Sequence, residues 1–159
     1  MHLNLEVNTI KIKVEKWTFD GSVSYKIVGI ENCCNDIRQN PLIDFQADCF
    51  ENSEDKYGVA LCESETYTEP YENYETTDYR YYKINRCPFC GDPISIEVVC
   101  ELDKTDEYKR LKDEVYGLRK KINKCDSKKK ERALESEFRE KDNLLNSYYR
   151  NDSIKIDIE

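Results

Sequence analysis

The sequence feature that most constrains the fold is the segment Cys87-Pro88-Phe89-Cys90-Gly91, in which two residues separate two thiols. Two thiolates at this spacing can meet one tetrahedral metal ion, as in a zinc knuckle. Pro88 stiffens the turn, and Gly91 lets the backbone fold back so that amide N–H groups approach the sulfurs. A thioredoxin-like redox pair needs its second cysteine inside a helix, whereas a strand pattern follows Gly91. The segment therefore predicts a metal-binding knuckle.

A tetrahedral site needs two further ligands, and the chain has six more cysteines and a single histidine. Cys33 and Cys34 lie at the start of a short predicted helix, where free N–H groups favour thiolate. They are the best physical candidates. Two adjacent cysteines on one ion are geometrically demanding, however, and either one plus a remote cysteine fits the spacing equally well. The remote candidates, expected mainly as packing or inert residues, are Cys49, Cys62, Cys100, Cys125 and His2.

Two segments carry a family resemblance. An adjacent Cys-Cys opening a short helix, at 32–37, and a hydrophobic strand running into the knuckle, at 82–91, resemble small zinc-ribbon-like proteins of phages and prophages of low-GC bacteria. The resemblance implies a cytoplasmic protein of a bacterial host whose partner is a host or defence-system protein, with inhibition of that partner as its function. It also implies a four-thiolate Zn²⁺ site formed by Cys33, Cys34, Cys87 and Cys90.

The sequence on either side of the knuckle predicts a small antiparallel β core. Residues 3–14 alternate in polarity with a phase slip near residues 8–9, which indicates a strand with a turn or bulge. Asp20–Gly21 is a strong turn signal before the next apolar run, at 23–30. Residues 32–40 predict the short helix. Strands are expected at 81–85 and 94–99, on either side of the knuckle.

Residues 104–149 change to a helical character, with one glycine and no proline. Apolar residues follow a heptad spacing from Tyr108 to Cys125, and a second stripe starts at Leu134. Asp126–Ser127 lies between the two stripes as a natural N-cap. The interruption favours an antiparallel helical hairpin, 104–124 and 128–149. The alternative is one long helix that makes the protein a homo-oligomer. Residues 153–158 alternate again and predict an edge strand or tail.

The net charge of −8 comes from one segment. Residues 44–79 contain 11 acidic residues and one base, Lys56, whereas residues 101–150 contain 15 basic and 12 acidic residues. Residues 41–79 are expected to be an irregular insertion, and a solvated loop is the simplest interpretation. The more specific hypothesis is a surface that contacts a partner protein. Tyrosine provides a large and rigid contact area, and carboxylates select basic partners. Its candidate partner-binding residues are Tyr67, Tyr71, Tyr74, Tyr79, Glu69, Glu72 and Glu75.

Several functions are disfavoured. The glycines are scattered singly, so no phosphate-binding loop is visible, and His2 is poorly placed for a catalytic triad. Four thiolates would leave a metal no open position for catalysis, so we expect no enzyme. No stretch approaches the roughly 20 apolar residues that span a bilayer, and we expect a cytoplasmic protein. The sequence pI of about 4.9 disfavours broad nucleic-acid affinity.

The sequence thus predicts an α+β protein with three parts: a zinc-stabilised β-rich domain at 1–100 with the insertion 41–79, a helical hairpin at 101–150 and a tail at 151–159. The leading hypothesis is a non-catalytic zinc protein that acts through protein–protein interaction. The alternative is a nucleic-acid-associated regulator that uses the ribbon and a basic hairpin tip, where the candidate phosphate contacts are Lys128, Lys129 and Lys130.

Overall fold

The protein is α+β, as predicted, with two small sheets. The computed structural model describes residues 8–32, 34–47, 50, 56–71 and 73–154. Their elements are, in chain order, β1 (Ile10–Phe19), β2 (Ser22–Glu31), α1 (Asn35–Gln39), β3 (Ile43–Ala47), β4 (Tyr57–Thr68), β5 (Glu75–Lys83), β6 (Ile94–Asp103), α2 (Thr105–Asn123) and α3 (Lys128–Ser147). The strands form two three-stranded sheets, in the orders β2-β1-β6 and β3-β4-β5.

The chain divides into two compact units that do not follow a single cut in the sequence. The first unit comprises Met1–Val14, Ile27–Val99 and Asp152–Glu159, and the second comprises Glu15–Lys26 and Cys100–Asn151. Strands β1, β2 and β6 each contribute residues to both units.

The turn between β1 and β2 is the one that the sequence predicts. Asp20 and Gly21 both have positive φ, at 47° and 78°. A two-residue hairpin loop with positive φ at both positions matches the twist of the strands it joins, and Asp-Gly is a preferred pair for it. The predicted strand segment before residue 8 lies outside the described residues.

The segment 41–79, predicted to be irregular, is mostly strand, and that prediction is wrong. β3 pairs antiparallel with β4 from Ile43 opposite Leu61 to Ala47 opposite Tyr57. β4 pairs antiparallel with β5 from Ala60 opposite Lys83 to Thr68 opposite Glu75. The acidic residues suggested a loop, but β3 and the first part of β4 bury Ile43, Phe45, Val59 and Ala60. Beyond them, threonine and tyrosine favour extended backbone, and cross-strand pairs stabilise the exposed part of the sheet.

The first unit buries a core of mainly aliphatic side chains, to which Phe45 and Cys87 also belong. Asp44 fastens the chain near its C-terminus to β3, because its carboxylate accepts hydrogen bonds from Ser153 Oγ at 2.6 Å and Ile154 N at 2.8 Å. Residues 153–154 are not in a strand, and the rest of the predicted edge strand lies outside the described residues. The buried apolar residues are Ile10, Ile12, Val14, Ile37, Ile43, Phe45, Val59, Ala60 and Ile154.

Two helices form most of the second unit, at the positions that the sequence predicts. Ser127 occupies the N-cap position of α3, but its side chain makes no capping hydrogen bond. The helices contact one another: Lys141 Nζ lies 2.6 Å from Glu114 Oε2, and the Arg119 guanidinium lies 5.6 Å from the Phe138 ring centre. The buried α2 residues are four members of the predicted heptad: Tyr108, Leu111, Val115 and Leu118.

An aromatic cluster is the core of the second unit. Phe19 from β1 packs against Tyr108 and Tyr148, with ring centres 5.0 and 5.5 Å away. The hydroxyl groups of Tyr108 and Tyr149 share a hydrogen bond. Aromatic side chains bury much area each, and tilted or edge-on pairs add to that energy. This packing gives the helices a buried support from the β1–β2 hairpin.

A lysine caps the end of α3. Lys26 Nζ donates a hydrogen bond to the Ser147 carbonyl at 2.6 Å and another to the Arg150 carbonyl. The last carbonyls of a helix lack partners within the helix and carry partial negative charge, so an ammonium group there is stabilising. The Tyr25 amide also donates to Asn151 Oδ1 at 2.9 Å.

Tyr148 should make the stability of the protein sensitive to alkaline pH. Burial, together with a hydrogen bond to the Glu107 carboxylate, raises the pKa of Tyr148 to about 12. An unfolded tyrosine ionises near pH 10. The folded state therefore retains a proton that the unfolded state loses, so this contribution is complete below about pH 10 and disappears as pH rises through about 12. We expect Tyr148→Phe to flatten the fall in unfolding free energy between neutral pH and about pH 11, measured by denaturant titration.

Tyr116→Phe is the matched control, because that tyrosine is exposed on α2. The same pH dependence of unfolding in Tyr148→Phe and the unmodified chain would contradict the expectation.

Candidate metal centre

Three thiols converge in the first unit. The Sγ atoms of Cys34, Cys87 and Cys90 all lie within 4.8 Å of one another. Zn–S bonds of about 2.3 Å would place the sulfurs of a tetrahedral site about 3.8 Å apart, so small side-chain adjustments bring these thiols onto one ion. Cys34 precedes α1, whereas Cys87 and Cys90 lie between β5 and β6, so the fold unites two distant parts of the chain. The three thiols could hold a metal ion.

Backbone hydrogen bonds shape the knuckle. The Cys87 amide donates to the Asp92 carbonyl and the Gly91 amide donates to the Cys87 carbonyl, both at 2.9 Å. Gly91 has φ of 78°, a conformation that side-chain-bearing residues rarely adopt. The turn-back that the sequence predicts at Gly91 is therefore present.

An arginine that the sequence reasoning missed ties the knuckle across its base. Arg86 Nη1 donates to the Gly91 carbonyl at 3.0 Å, and Arg86 also forms an isolated antiparallel bridge with Pro93. The sequence offers one indication of this role, the position of Arg86 directly before Cys87. The acceptor is a backbone carbonyl, which any residue could supply, so the sequence does not reveal the hydrogen bond. These two contacts of Arg86 hold the two ends of the knuckle together.

Cys34 reaches the cluster because of the short helix that follows it. Its φ and ψ are −71° and 127°, so the chain is extended at Cys34 and turns into α1 at the next residue. The Arg38 amide donates to the Cys34 carbonyl at 3.3 Å, and Ile37 is only 1% exposed. Burial of Ile37 in the core of the first unit fixes α1 and, with it, the backbone of Cys34.

The pKa values of the Cys87 and Cys90 thiols are shifted in opposite directions. Burial opposes ionisation of Cys87, but hydrogen bonds from the amides of Cys90 and Phe89, and from the Cys90 and Cys34 thiols, outweigh it and lower the pKa of Cys87. The Asp92 amide favours a Cys90 thiolate, yet burial, the neighbouring Cys87 and the Asp92 carboxylate together raise the pKa of Cys90 to about 11. The cluster thus favours one thiolate, and a bound cation would favour further ionisation.

The other cysteine candidates divide into two groups. Cys62, Cys100 and Cys125 are half-buried and are not part of the cluster. Burial and the nearby Glu15 carboxylate raise the pKa of the Cys100 thiol, as expected for a packing residue. Cys33, Cys49 and His2 lie outside the described residues.

The predicted partner-binding residues lie on and around an exposed β-hairpin. We call the distal part of β4 and β5, Glu63–Arg80, the arm. Residues opposite one another in an antiparallel pair share a face. Tyr67 is opposite Thr76, whereas Tyr79 is opposite Ser64 and lies on the other face, with Glu75. Glu69, Tyr71 and Tyr74 lie between the two strands, and Glu72 lies outside the described residues.

The fold thus separates residues that the sequence grouped. Tyr71 is 97% exposed, and Tyr67 and Tyr79 are partly exposed on opposite faces. A single partner surface on one face cannot contact both of these strand tyrosines.

The predicted phosphate contacts lie in the second unit. Lys128, Lys129 and Lys130 are the first three residues of α3, and all are exposed. The N-terminal end of a helix carries partial positive charge, so these lysines add to a positive local potential.

Comparison with known proteins finds no matching family, no matching curated protein and no matching solved structure. The resemblance to phage-type zinc-ribbon-like proteins therefore stays a prediction. Among the described residues, no helix is both long enough and apolar enough to cross a membrane.

Loss of Cys87 should abolish metal binding by the cluster. Cys87→Ser replaces the most buried of the three thiols with a poor ligand for a soft metal site. We expect metal content to fall from about one equivalent per chain to background, together with the metal-dependent part of the thermal stability. Elemental analysis and thermal denaturation, with and without a chelator, measure these effects.

Cys62→Ser is the matched control, since Cys62 is a half-buried thiol of the same unit outside the cluster. Equal metal loss in both variants would contradict the assignment of the cluster.

Proposed function

We propose that this protein binds one Zn²⁺ through Cys33, Cys34, Cys87 and Cys90, and that the site is structural. The observation that carries the proposal is the convergence of three thiols within 4.8 Å of one another. Soft thiolate ligands suit zinc, and four of them fill its tetrahedral coordination shell. Cys33 adjoins Cys34 in the sequence, and the resemblance to zinc-ribbon-like proteins supplies it as the fourth ligand.

A closed thiolate site supports a binding protein rather than an enzyme. Catalytic zinc keeps a position open for water or substrate, and four protein ligands leave none. The ion would instead join α1 to the knuckle. Because the core of the first unit is made mainly of small aliphatic side chains, such a cross-link would add stability to a unit with limited hydrophobic burial.

The arm is the proposed surface for protein–protein interaction. Its strands are exposed along Glu63–Thr68 and over most of Glu75–Arg80, so they contribute little to a buried core. A two-stranded hairpin is marginally stable by itself, and exposed tyrosines are typical contact residues. The class of partner that the resemblance implies is a host or defence-system protein, and inhibition of that protein is the corresponding role.

The fourth ligand can be tested with Cys33→Ser. Loss of an outer-shell partner costs 10–100-fold in metal affinity, so loss of a true ligand should weaken Zn²⁺ binding by at least about 100-fold. Competition with a chromophoric chelator measures the affinity. Cys125→Ser is the control, because that half-buried thiol lies in the second unit. An unchanged affinity in Cys33→Ser would exclude Cys33 as a ligand.

The role of the arm can be tested by shortening it. Glu63 and Arg80 are opposite one another, so Asn-Gly in place of residues 64–79 would close β4 and β5 by a two-residue turn. We expect full zinc content and loss of a stoichiometric complex when tagged protein is used to purify partners from a bacterial lysate. A complex that survives shortening would contradict binding through the arm.

The nucleic-acid alternative predicts a different outcome. Reversal of charge at Lys128, Lys129 and Lys130 would then remove binding, and binding would fall steeply with salt. Under the leading proposal, the same triple variant keeps the protein complex.

A further inference from the structure

The two faces of the arm differ in chemistry. The residues that share one face, here called the acidic face, are Glu63, Glu65, Tyr67, Thr76, Asp78 and Arg80. The residues of the other, here called the hydroxyl face, are Ser64, Thr66, Thr68, Glu75, Thr77 and Tyr79. Thr66 and Thr77 share a hydrogen bond of 2.9 Å on the hydroxyl face. The acidic face thus has three carboxylates and one guanidinium group, and the hydroxyl face has one carboxylate.

The acidic face carries an electrostatic cost in the free protein. Glu65 lies directly opposite Asp78, and like charges at such a position destabilise a sheet. The negative potential extends to Tyr67, where the charge of Asp78, burial and the charge of Glu69 together raise the pKa of the phenol. A cation between Glu65 and Asp78 would relieve this repulsion.

Within the described ranges, β4 has an unpaired edge along the arm. The Cys62 amide donates to the Leu42 carbonyl at 2.7 Å, so the amide of Cys62 points away from β5. Alternation along a strand gives the amides of Ser64 and Thr66 the same direction. β3 pairs with β4 no further than Leu61, and no other strand of the described ranges pairs with this stretch. Unpaired strand edges are sites where an added strand can bind.

We infer that the edge of β4 at Glu63–Thr68 binds an extended basic segment of a partner protein, whose alternate lysine or arginine side chains lie on the acidic face. The inference rests on the proposed function of the arm. Glu63 and Glu65 are two residues apart, about 6.8 Å along a strand, and alternate residues of an added strand repeat at this same distance. A second copy of this chain is a poor occupant, because edge-to-edge pairing would bring two acidic faces together.

The test uses the full chain loaded with zinc and a fluorescent peptide in which lysine and threonine alternate. A second peptide of the same composition has its lysines clustered at one end. We expect the alternating peptide to bind more tightly, measured by fluorescence anisotropy. When the peptide pairs antiparallel and its lysines lie on the acidic face, its threonine N–H groups face β4. N-methylation of the threonines should therefore abolish binding, whereas N-methylation of the lysines should not.

Matched charge variants of the protein distinguish the faces. Glu63→Gln with Glu65→Gln removes two charges from the acidic face. Glu75→Gln with Glu97→Gln removes two charges from elsewhere in the first unit, one on the hydroxyl face and one exposed on β6. Because exposed ion pairs are individually weak, we expect the first double variant to weaken binding by about tenfold and the second by less than about twofold. Asp78→Asn provides a second acidic-face variant should the first one lose zinc or structure.

Three outcomes would overturn the inference: no measurable peptide binding, equal binding of both peptides, or equal effects of the two double variants. These outcomes are distinct from failure of the proposed function. If shortening of the arm abolishes the partner complex while the double variants behave alike, the arm binds a partner by another chemistry. If shortening leaves the complex intact, the proposed function of the arm fails as well.

Discussion

The convergence of the Cys34, Cys87 and Cys90 thiols brings together two distant parts of the first unit, the start of α1 and the turn between β5 and β6. A thiolate on one of these sulfurs opposes ionisation of the next, as the raised pKa of Cys90 illustrates. A metal ion among the three sulfurs would instead favour their thiolate forms, and it would join α1 to the knuckle.

The arm also places like charges next to one another. Glu65 and Asp78 oppose one another on a hairpin that has little buried surface to stabilise it. The hydrogen bond between Thr66 and Thr77 supports the hairpin from its other face. Charges on an exposed edge also discourage pairing between copies, which is a common way for proteins to avoid aggregation. The proposed selectivity for a basic partner and resistance to self-association would therefore have the same electrostatic cause.

Some elements were predictable because their signals are local. The Asp20–Gly21 turn, the two long helices and the knuckle turn at Gly91 each depend on residues within a few positions of one another. The error at 41–79 has a physical reason as well. The low hydrophobicity of the segment argued against strands. The exposed parts of β4 and β5 are instead stabilised by cross-strand pairs, and these pairs cannot be predicted until the register of both strands is known.

The sequence by itself determined the type of each long helix, the knuckle and the presence of a thiol-rich site, because backbone preference and ligand spacing are properties of short segments. Tertiary structure alone decided which remote thiol joins Cys87 and Cys90, which face of the arm is acidic, and that Phe19 packs against Tyr108 and Tyr148. These outcomes depend on strand register and on burial of side chains such as Ile37. Both are set by contacts between residues far apart in the chain, and no local pattern encodes them.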